Sequence, residues 1–445
     1  MLSDYVMGAS YLFTLFRHTH WSREELLKYR NRKAREIVSY AYTHVPFYHE
    51  KFRQLGLKPE EVKTAEDLSK LPVIRRAELQ KNADNLISSE FDTTKLKKIS
   101  TSGSTGQPLF THITMREDAF RKAKLLRANI TCGQRLRDKW VVITAPQHEA
   151  DTRRLQKFLR IYLPTPLSVF DSAETQISKI NEMKPDILDG YSSSLLLLAK
   201  EVEKTGLETA KPRMIIGGAE LIDNSSRQFV ERVFKAPFYD EYACVELERL
   251  AWQCKEKSGY HIDADSVIMQ FVDEDGKEVG PGETGEIVCT SLFNYAMPFI
   301  RYAVGDVGKL SKEPECSCGI SFPLMEVVEG RKDSLIVLPD GRVISPLTFG
   351  WIMEFFKYYA CIDQYRVVQK RIDLFRFIIR KRNDNVDEKV MEAELPEHFK
   401  QFLNLGKSRV DFEVEFVDEI PLDKSGKLRK VVSELKEDSK SEFPS

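Results

Sequence analysis

The chain has 445 residues, with 67 Lys or Arg against 68 Asp or Glu, so its formal net charge is −1. Hydrophobic residues make up 42% and charged residues 30%, which excludes large-scale disorder and suggests two or three folding units. A charge so close to zero argues against a protein that mainly coats nucleic acid, because phosphates require a basic excess. We expect no nucleic-acid partner.

The cysteine content and the N-terminal segment bear on cellular location. Seven cysteines are too few for a secreted disulfide scaffold of this length, and their odd number favours a reducing compartment. The apolar segment from Tyr5 to Phe16 follows Asp4 and lacks a basic region or a cleavage site. No run reaches the roughly 18 apolar residues that span a bilayer. We therefore expect a cytoplasmic protein without a transmembrane segment, whose first helix packs on its own domain; adhesion of that helix to a surface is the alternative.

The first part of the chain has the pattern of an α/β fold. Ser22 and Glu25 have the spacing of a capping box, and apolar residues then recur at helical spacing until Pro46, which predicts a helix. Further on, short apolar runs at 140–143 and 214–216 alternate with charged helical stretches, for example 172–183 and 226–234. That alternation predicts α/β layers. Segments 267–271 and 285–292 then predict strands, with Asp-Gly and Pro-Gly turns between them.

The pattern changes after Gly330. Two alternating runs at 365–368 and 374–379 flank a polar turn, a helical stretch follows, and residues 410–416 alternate with a period of two. These elements predict a small α+β domain. We expect a large N-terminal α/β domain over residues 1–330 and this second domain over 331–445.

The segment from Ser100 to Pro108 has the composition of a phosphate-binding loop. Its glycines let backbone amides approach an anion, and its hydroxyls can contact phosphate oxygens. It is not a Walker loop, because no Gly-Lys-Ser/Thr follows, and by itself it could be a surface linker. The candidate residues are Thr101, Ser102, Gly103, Ser104, Thr105 and Gly106.

This loop and four later motifs resemble, in order, those of the adenylate-forming (AMP-forming acyl-CoA synthetase) superfamily. The chain is most similar to the phenylacetate-CoA ligase-like branch, which includes CapK-type polysaccharide biosynthesis proteins, and the resemblance extends from Trp21 to Lys430. It implies that the loop binds pyrophosphate and that the small C-terminal domain is mobile.

The resemblance assigns roles in nucleotide binding to two further motifs. Segment 217–220 looks like the loop that lies against adenine, with Gly218, Ala219 and Glu220 as contact residues. Segment 240–246 is similar to the motif in which Tyr242 would stack on adenine and Asp240 would accept from its exocyclic amine. Glu246 would hold Mg²⁺ beside the phosphates. Ala243 and Val245 replace the glycine and threonine of that pattern.

The remaining motifs lie near the predicted domain boundary and beyond it. Asp306, in the segment 301–306, would accept both ribose hydroxyls, although Ala303 and Val304 replace polar residues there. Arg331 would reach the nucleotide, and Asp333 would be the hinge. Lys427, in Ser425-Gly426-Lys427, would bridge the substrate carboxylate and the α-phosphate.

A separate set of residues has the chemistry of a metal site. Cys316 and Cys318 form a Cys-x-Cys turn followed by glycine, and Cys254 and His261 are the plausible partners. Three thiolates and an imidazole suit a structural, tetrahedral Zn²⁺ with no open position. Reduced free thiols are the alternative. We expect three other cysteines to be core residues, namely Cys132, Cys289 and Cys361.

We therefore expect an enzyme that uses ATP and Mg²⁺ to adenylate a small carboxylic acid, releases pyrophosphate and passes the acyl group to a thiol such as coenzyme A. Three alternatives stay open. The acceptor could be an amine or hydroxyl in glycan assembly, AMP itself could be transferred to a cofactor hydroxyl, or the chain could be a nucleotide-binding module without turnover. A homodimer is compatible with each of these functions.

Overall fold

The computed structural model describes residues 2–100, 109–146, 149, 152, 154–313, 315–329, 336–340, 342–344, 349–350, 352–353, 355–383, 385–403, 410–422 and 428–435. It divides the chain into two compact units, Met1–Leu136 with Tyr239–Val328, and Arg137–Phe238 with Glu329–Ser445. The domain boundary predicted between residues 330 and 331 falls outside the described residues and stays a prediction.

Helices α2 (Arg23–His44), α3 (Pro46–Leu55) and α4 (Arg76–Lys81) of the first unit contribute residues to an apolar core that they share with its strands. The capping box is confirmed, since Ser22 Oγ accepts from the Glu25 amide and the Glu25 carboxylate accepts from the Ser22 amide. Pro46 ends this helix and begins the next, because a residue without an N–H suits the first helical position. The helices are α1 (Leu2–His18), α2 (Arg23–His44), α3 (Pro46–Leu55), α4 (Arg76–Lys81) and α5 (Met115–Cys132).

The strands of the first unit form a hairpin and a larger sheet. Strands β1 (Lys97–Ser100) and β2 (Phe110–Ile113) pair antiparallel and flank the predicted phosphate loop in sequence. The larger sheet has the order β10-β11-β12-β13-β9-β8-β7 within this unit. Its strands are β7 (Phe238–Cys244), β8 (Glu248–Gln253), β9 (Tyr260–Ile262), β10 (Val267–Val272), β11 (Gly285–Ser291), β12 (Tyr302–Leu310) and β13 (Leu324–Glu329). The strands predicted at 267–271 and 285–292 are therefore confirmed.

The N-terminal helix packs on its own unit, as predicted. The Tyr11 ring meets the Phe120 ring of α5 edge-on at 5.4 Å between centroids. Val6 and Phe13 lie on the opposite side and are 62% and 66% exposed. Among the described residues, no helix has the length and apolarity that crossing a membrane requires.

A buried network of charges joins α1 and α5 to the sheet. Arg127 is fully buried and donates to Asp263 and to Asp265, the latter at 2.6 Å. Arg249 also donates to Asp263, at 3.1 Å. His18 Nδ1 lies 2.9 Å from Asp265 Oδ2, so the residue at the end of α1 is part of the same network. Each buried charge thus faces an opposite charge, as charges without water require.

The second unit begins with a parallel sheet in the order β6-β5-β3-β4. Its central strands carry near-continuous apolar residues such as Val141, Leu188 and Ile215, as parallel strands covered on both faces do. The predicted α/β alternation is confirmed. The elements are β3 (Trp140–Thr144), α6 (Arg154–Leu159), β4 (Pro164–Ser168), α7 (Ala173–Met183), β5 (Ile187–Tyr191), α8 (Ser192–Thr205), β6 (Met214–Gly218) and α9 (Asn224–Phe234).

The C-terminal part of the second unit is α+β, as predicted. A four-stranded sheet has the order β18-β17-β16-β19, with an antiparallel central pair and parallel outer pairs. Phe377 and Phe399 contact across the sheet and the helix, with ring centroids 4.7 Å apart. The elements are β14 (Ile336–Val337), β15 (Val343–Ile344), β16 (Ile362–Arg371), β17 (Leu374–Lys381), α10 (Glu388–Phe402), β18 (Asp411–Phe416) and β19 (Val431–Ser433).

Candidate nucleotide site and metal centre

Two of the predicted nucleotide contacts, Tyr242 on β7 and Asp306 on β12, lie side by side. The Tyr242 hydroxyl donates to Asp306 Oδ2 at 2.7 Å. Burial and the adjacent carboxylate raise the pKa of Tyr242 well above its usual range, so the hydroxyl stays protonated and keeps donating. Gly305, directly before Asp306, has a φ of 87°, a conformation that favours glycine. This left-handed residue within β12 directly precedes the carboxylate that contacts Tyr242.

The predicted magnesium ligand, Glu246, is buried and already has two partners. Its Oε1 accepts from the Tyr302 hydroxyl at 2.8 Å and from Arg76 Nη1 at 3.1 Å. Burial and Glu246 together raise the pKa of Tyr302, so that hydroxyl also remains a donor. The backbone carbonyl of Glu246 accepts from Arg121 and Asn294. The carboxylate is therefore held in one place, with Arg76 as the cation that balances its charge.

Asp240 is buried beside Tyr260 and Gln253. Its Oδ2 accepts from the Tyr260 hydroxyl at 2.5 Å, and its Oδ1 accepts from the Glu241 amide at 3.0 Å. The Asp240 amide donates to Gln253 Oε1 at 3.3 Å. A carboxylate has about four acceptor positions, so it can accept hydrogen bonds from several donors at once.

In the second unit, the predicted adenine loop follows β6. Ala219 adopts a left-handed conformation, with φ of 64°. Glu220 Oε2 accepts from the Ser193 amide at 3.1 Å, at the N-terminus of α8, where a negative charge is favoured. A Cβ on Gly217 would lie 2.0 Å from the Phe238 ring, so glycine is required there for packing, whatever the loop binds. Gly218 is the last residue of the strand.

Several predicted site residues lie outside the described part of the chain. These are the phosphate-loop residues Thr101, Ser102, Gly103, Ser104, Thr105 and Gly106, the residues Arg331 and Asp333, and the predicted catalytic Lys427. Their roles stay predictions.

The four predicted metal ligands do meet. Their ligand atoms all lie within 4.8 Å of one another. Cys254 Sγ is 3.6 Å from Cys316 Sγ, and Cys318 Sγ is 3.3 Å from His261 Nε2. Tetrahedral sulfurs at about 2.3 Å from a zinc ion lie roughly 3.8 Å apart, so the thiol spacing fits that ion.

The surroundings of His261 also suit a metal ligand. The ring is fully buried, and burial lowers its pKa, which favours the neutral form. Its Nδ1 lies 3.2 Å from the carbonyl oxygen of Phe322. If Nδ1 carries the proton and donates to that oxygen, Nε2 is left to face the thiols with a lone pair. The donor set and its support thus fit Zn²⁺.

The structure adds residues that the sequence reasoning missed. Tyr302 lies inside the 301–306 motif, and that position could have indicated a side chain that contacts the site. Arg76 has no local signal, because its contact with Glu246 spans 170 residues. Tyr260 precedes a predicted metal ligand but carries no motif of its own.

Comparison with known proteins adds relatives that are similar along most of the chain. No protein-family model matches the chain. A phenylacetate-coenzyme A ligase from Thermus thermophilus is 22% identical over 408 residues, which cover 89% of this chain and 87% of that protein. Protein CapK from Staphylococcus aureus is 22% identical over 423 residues, which cover 93% of this chain and 90% of that protein.

The fold agrees with the sequence comparisons. A crystal structure of 2-hydroxyisobutyryl-CoA ligase in the postadenylation state, in complex with 2-HIB-AMP, superimposes with a TM-score of 0.78 at 18% identity, covering 96% of this chain and 93% of that one. The fold class and the resemblance predicted from the motifs are both confirmed: the chain has the fold of adenylate-forming CoA ligases, and its sequence is similar to those of phenylacetate-CoA ligases and CapK.

Proposed function

We propose that this protein is an AMP-forming ligase that activates a carboxylic acid with ATP, releases pyrophosphate and transfers the acyl group to a thiol, coenzyme A. The likeness to phenylacetate-CoA ligases along most of both chains supports this activity. The single structural observation that carries it is the bond between Tyr242 and Asp306, since it joins residues of two motifs at one place.

The described residues would bind and orient ATP. The Tyr242 ring offers a face for adenine, Asp240 an acceptor for its amino group, and Asp306 an acceptor for ribose hydroxyls. Glu246 would hold Mg²⁺, which when bound supplies neutralising charge for pyrophosphate. Arg76 and Tyr302 hold that carboxylate in a fixed position. By the resemblance, Gly218, Ala219 and Glu220 would be contact residues for adenine.

The remaining roles follow the resemblance. Residues 101–106 would bind the β- and γ-phosphates. Lys427 would place a positive charge between the acid and the α-phosphate, where negative charge develops in the transition state. Arg331 would contact the nucleotide and Asp333 would be the hinge of a mobile small domain beginning at residue 331. Closure of that domain would exclude water from the labile acyl-adenylate.

A second candidate differs only in the acceptor. The likeness to CapK covers 93% of this chain. The resemblance to CapK-type polysaccharide biosynthesis proteins would imply an amine or hydroxyl acceptor as the alternative to coenzyme A. The first half-reaction would be the same in both cases.

We also propose that Cys254, His261, Cys316 and Cys318 hold a structural Zn²⁺. The support is the convergence of four ligand atoms and the contact between His261 and the Phe322 carbonyl. All four positions would be protein ligands, so the ion would take no part in the chemistry. The sparse cysteines of the sequence favour a cytoplasmic location.

A panel of carboxylic acids tests the activity. Pyrophosphate release is measured for each acid with ATP and Mg²⁺, first without acceptor and then with coenzyme A, and products are identified by mass. Acid-dependent release with an acyl-CoA product supports the first proposal. Acid-dependent release with an acyl-adenylate but no thioester favours the second. Absence of nucleotide binding by calorimetry would refute both.

A further inference from the structure

Asp240, Gln253 and Tyr260 form a row across the neighbouring strands β7, β8 and β9. Glu241 pairs with Trp252 between β7 and β8, and Gln253 pairs with Tyr260 between β8 and β9. Asp240 on β7 contacts both Gln253 and Tyr260 through hydrogen bonds. Because successive residues of a strand point to opposite faces, Gln253 and Tyr260 share one face while Trp252 and His261 share the other.

Each of these two partners of Asp240 directly precedes a proposed metal ligand. Cys254 follows Gln253 at the end of β8, and His261 follows Tyr260 in β9. The cluster therefore ties together both ends of the turn that connects β8 to β9. Cys316 and Cys318 attach that turn to a second segment.

We infer that the metal centre, through Gln253 at the Asp240 amide and Tyr260 at the Asp240 carboxylate, fixes that carboxylate and so sets the preference of the nucleotide site for adenine. Tyr260 is a positioning residue here, since its hydroxyl contacts the carboxylate and not the nucleotide. The inference rests on the proposed function, because it takes Asp240 as the acceptor for the adenine amino group.

The physical basis is orientation. An aspartate carboxylate rotates about χ2 unless it is held, and the Tyr260 bond of 2.5 Å and the Glu241 amide bond hold one oxygen each. A fixed acceptor favours a base that presents an amino group and disfavours one that presents a carbonyl oxygen. ATP and ITP differ in this respect at position 6, so their relative affinity measures the orientation of Asp240.

The experiment compares dissociation constants for ATP and ITP by calorimetry on the full chain, together with zinc content. The parent should prefer ATP. Tyr260→Phe keeps the ring and the strand pairing, and should lower that preference by ~10-fold with zinc retained, as loss of a hydrogen bond to a charged group would. Cys316→Ser should lose zinc and show the same fall. Tyr40→Phe removes a hydroxyl that bonds Ser88 at 2.6 Å elsewhere in the unit, and should change nothing.

The outcomes separate this inference from the proposed function. Failure of the parent to bind either nucleotide would refute the proposed function itself. A parent that prefers ATP, with Tyr260→Phe equally selective, would overturn the role of Tyr260. Equal selectivity of zinc-free Cys316→Ser would overturn the role of the metal. If that variant does not fold, zinc is removed from the folded parent protein by a chelator, and the preference for ATP over ITP is measured again. A lower preference supports the role of the metal, and an unchanged preference overturns it. His261→Cys retains four ligands and should keep both zinc and selectivity.

Discussion

The hydroxyl of Tyr242 and the carboxylate of Asp306, 64 residues apart in the chain, meet at 2.7 Å. One residue would present its ring to adenine and the other its oxygens to ribose, so each would hold the other in the conformation that the nucleotide needs. Because the two side chains are already ordered, the entropic cost of binding the nucleotide is lower.

Replacement of Asp306 by Ala should weaken ATP and AMP binding together. The ribose contact is the same in the ground state and the transition state, so KM should rise while kcat changes little. Calorimetry with both nucleotides and steady-state kinetics measure these effects. Asp275→Ala, in an exposed turn, is the matched control. Unchanged affinity for both nucleotides would rule out the ribose role.

Glu246 and Arg76 should respond to substitution with opposite signs. Glu246→Gln removes the proposed magnesium ligand, so the Mg²⁺ concentration that gives half-maximal pyrophosphate release should rise by about tenfold, the effect of roughly 1.4 kcal/mol. Arg76→Gln removes a cation that occupies the same carboxylate oxygen, so that concentration should fall. A shift in the same direction for both variants would contradict a metal at Glu246.

Lys427→Ala should abolish adenylation while leaving ATP binding largely intact. Removing a preorganised charge of this type typically lowers the rate about 10²–10³-fold. Pyrophosphate release and ATP affinity are measured on the same preparation. Release within twofold of the parent would identify Lys427 as an ordinary surface lysine.

Purified protein should contain one zinc ion per chain. Cys318→Ser should lose the ion and lower the melting temperature by roughly 5 °C or more, because metal binding contributes directly to folding. Cys361→Ser alters a half-buried thiol outside the cluster and is the control. Zinc is measured by elemental analysis and the melting temperature by scanning calorimetry. A folded parent protein without zinc would show that the four side chains are free thiols and an imidazole and not metal ligands.

Lys124 should make stability depend on pH. It is fully buried, donates to the Leu247 carbonyl at 3.1 Å, and burial lowers its pKa from 10.5 to about 8. Between those values the unfolded chain binds more protons, so the contribution of Lys124 to the free energy of unfolding rises with pH.

The measurement compares the parent with Lys124→Met. From pH 7.5 to pH 9.5, the free energy of unfolding of the parent should rise relative to that of the variant by about 2 kcal/mol. Urea titrations at the two values give this difference. A constant difference between parent and variant would mean that Lys124 keeps its usual pKa.

Local sequence patterns were sufficient where neighbours along the chain decide the structure. Ser22 and Glu25 predicted a helix start, and the alternation at 410–416 predicted a strand that the structure places at Asp411–Phe416. The Cys-x-Cys turn indicated a metal site, with Cys254 and His261 as its plausible partners, although only the fold shows that these two residues reach the turn. Such proximity depends on strand pairing over long sequence distances.

Partners without a local pattern could not be predicted. Nothing near Arg76 indicates that it faces Glu246, since α4 is a six-residue helix whose position is fixed by the rest of the unit. The same holds for Tyr260 and Asp240, which are brought together by the order of β7, β8 and β9. Motif resemblance identified the motif residues but not the residues that support them.

The contact between His18 and Asp265 has a consequence for synthesis of the chain. The two residues are 247 positions apart. At 5–20 residues per second, roughly 12–50 s pass between their emergence from the ribosome. During that interval α1 can pack against α5, but the carboxylates that pair with Arg127, those of Asp263 and Asp265, have not yet been synthesised. Residues 137–238, by contrast, form their parallel sheet from contiguous chain. Residues 137–238 should therefore fold first, while the charge network around Arg127 can form only after Asp265 has been synthesised.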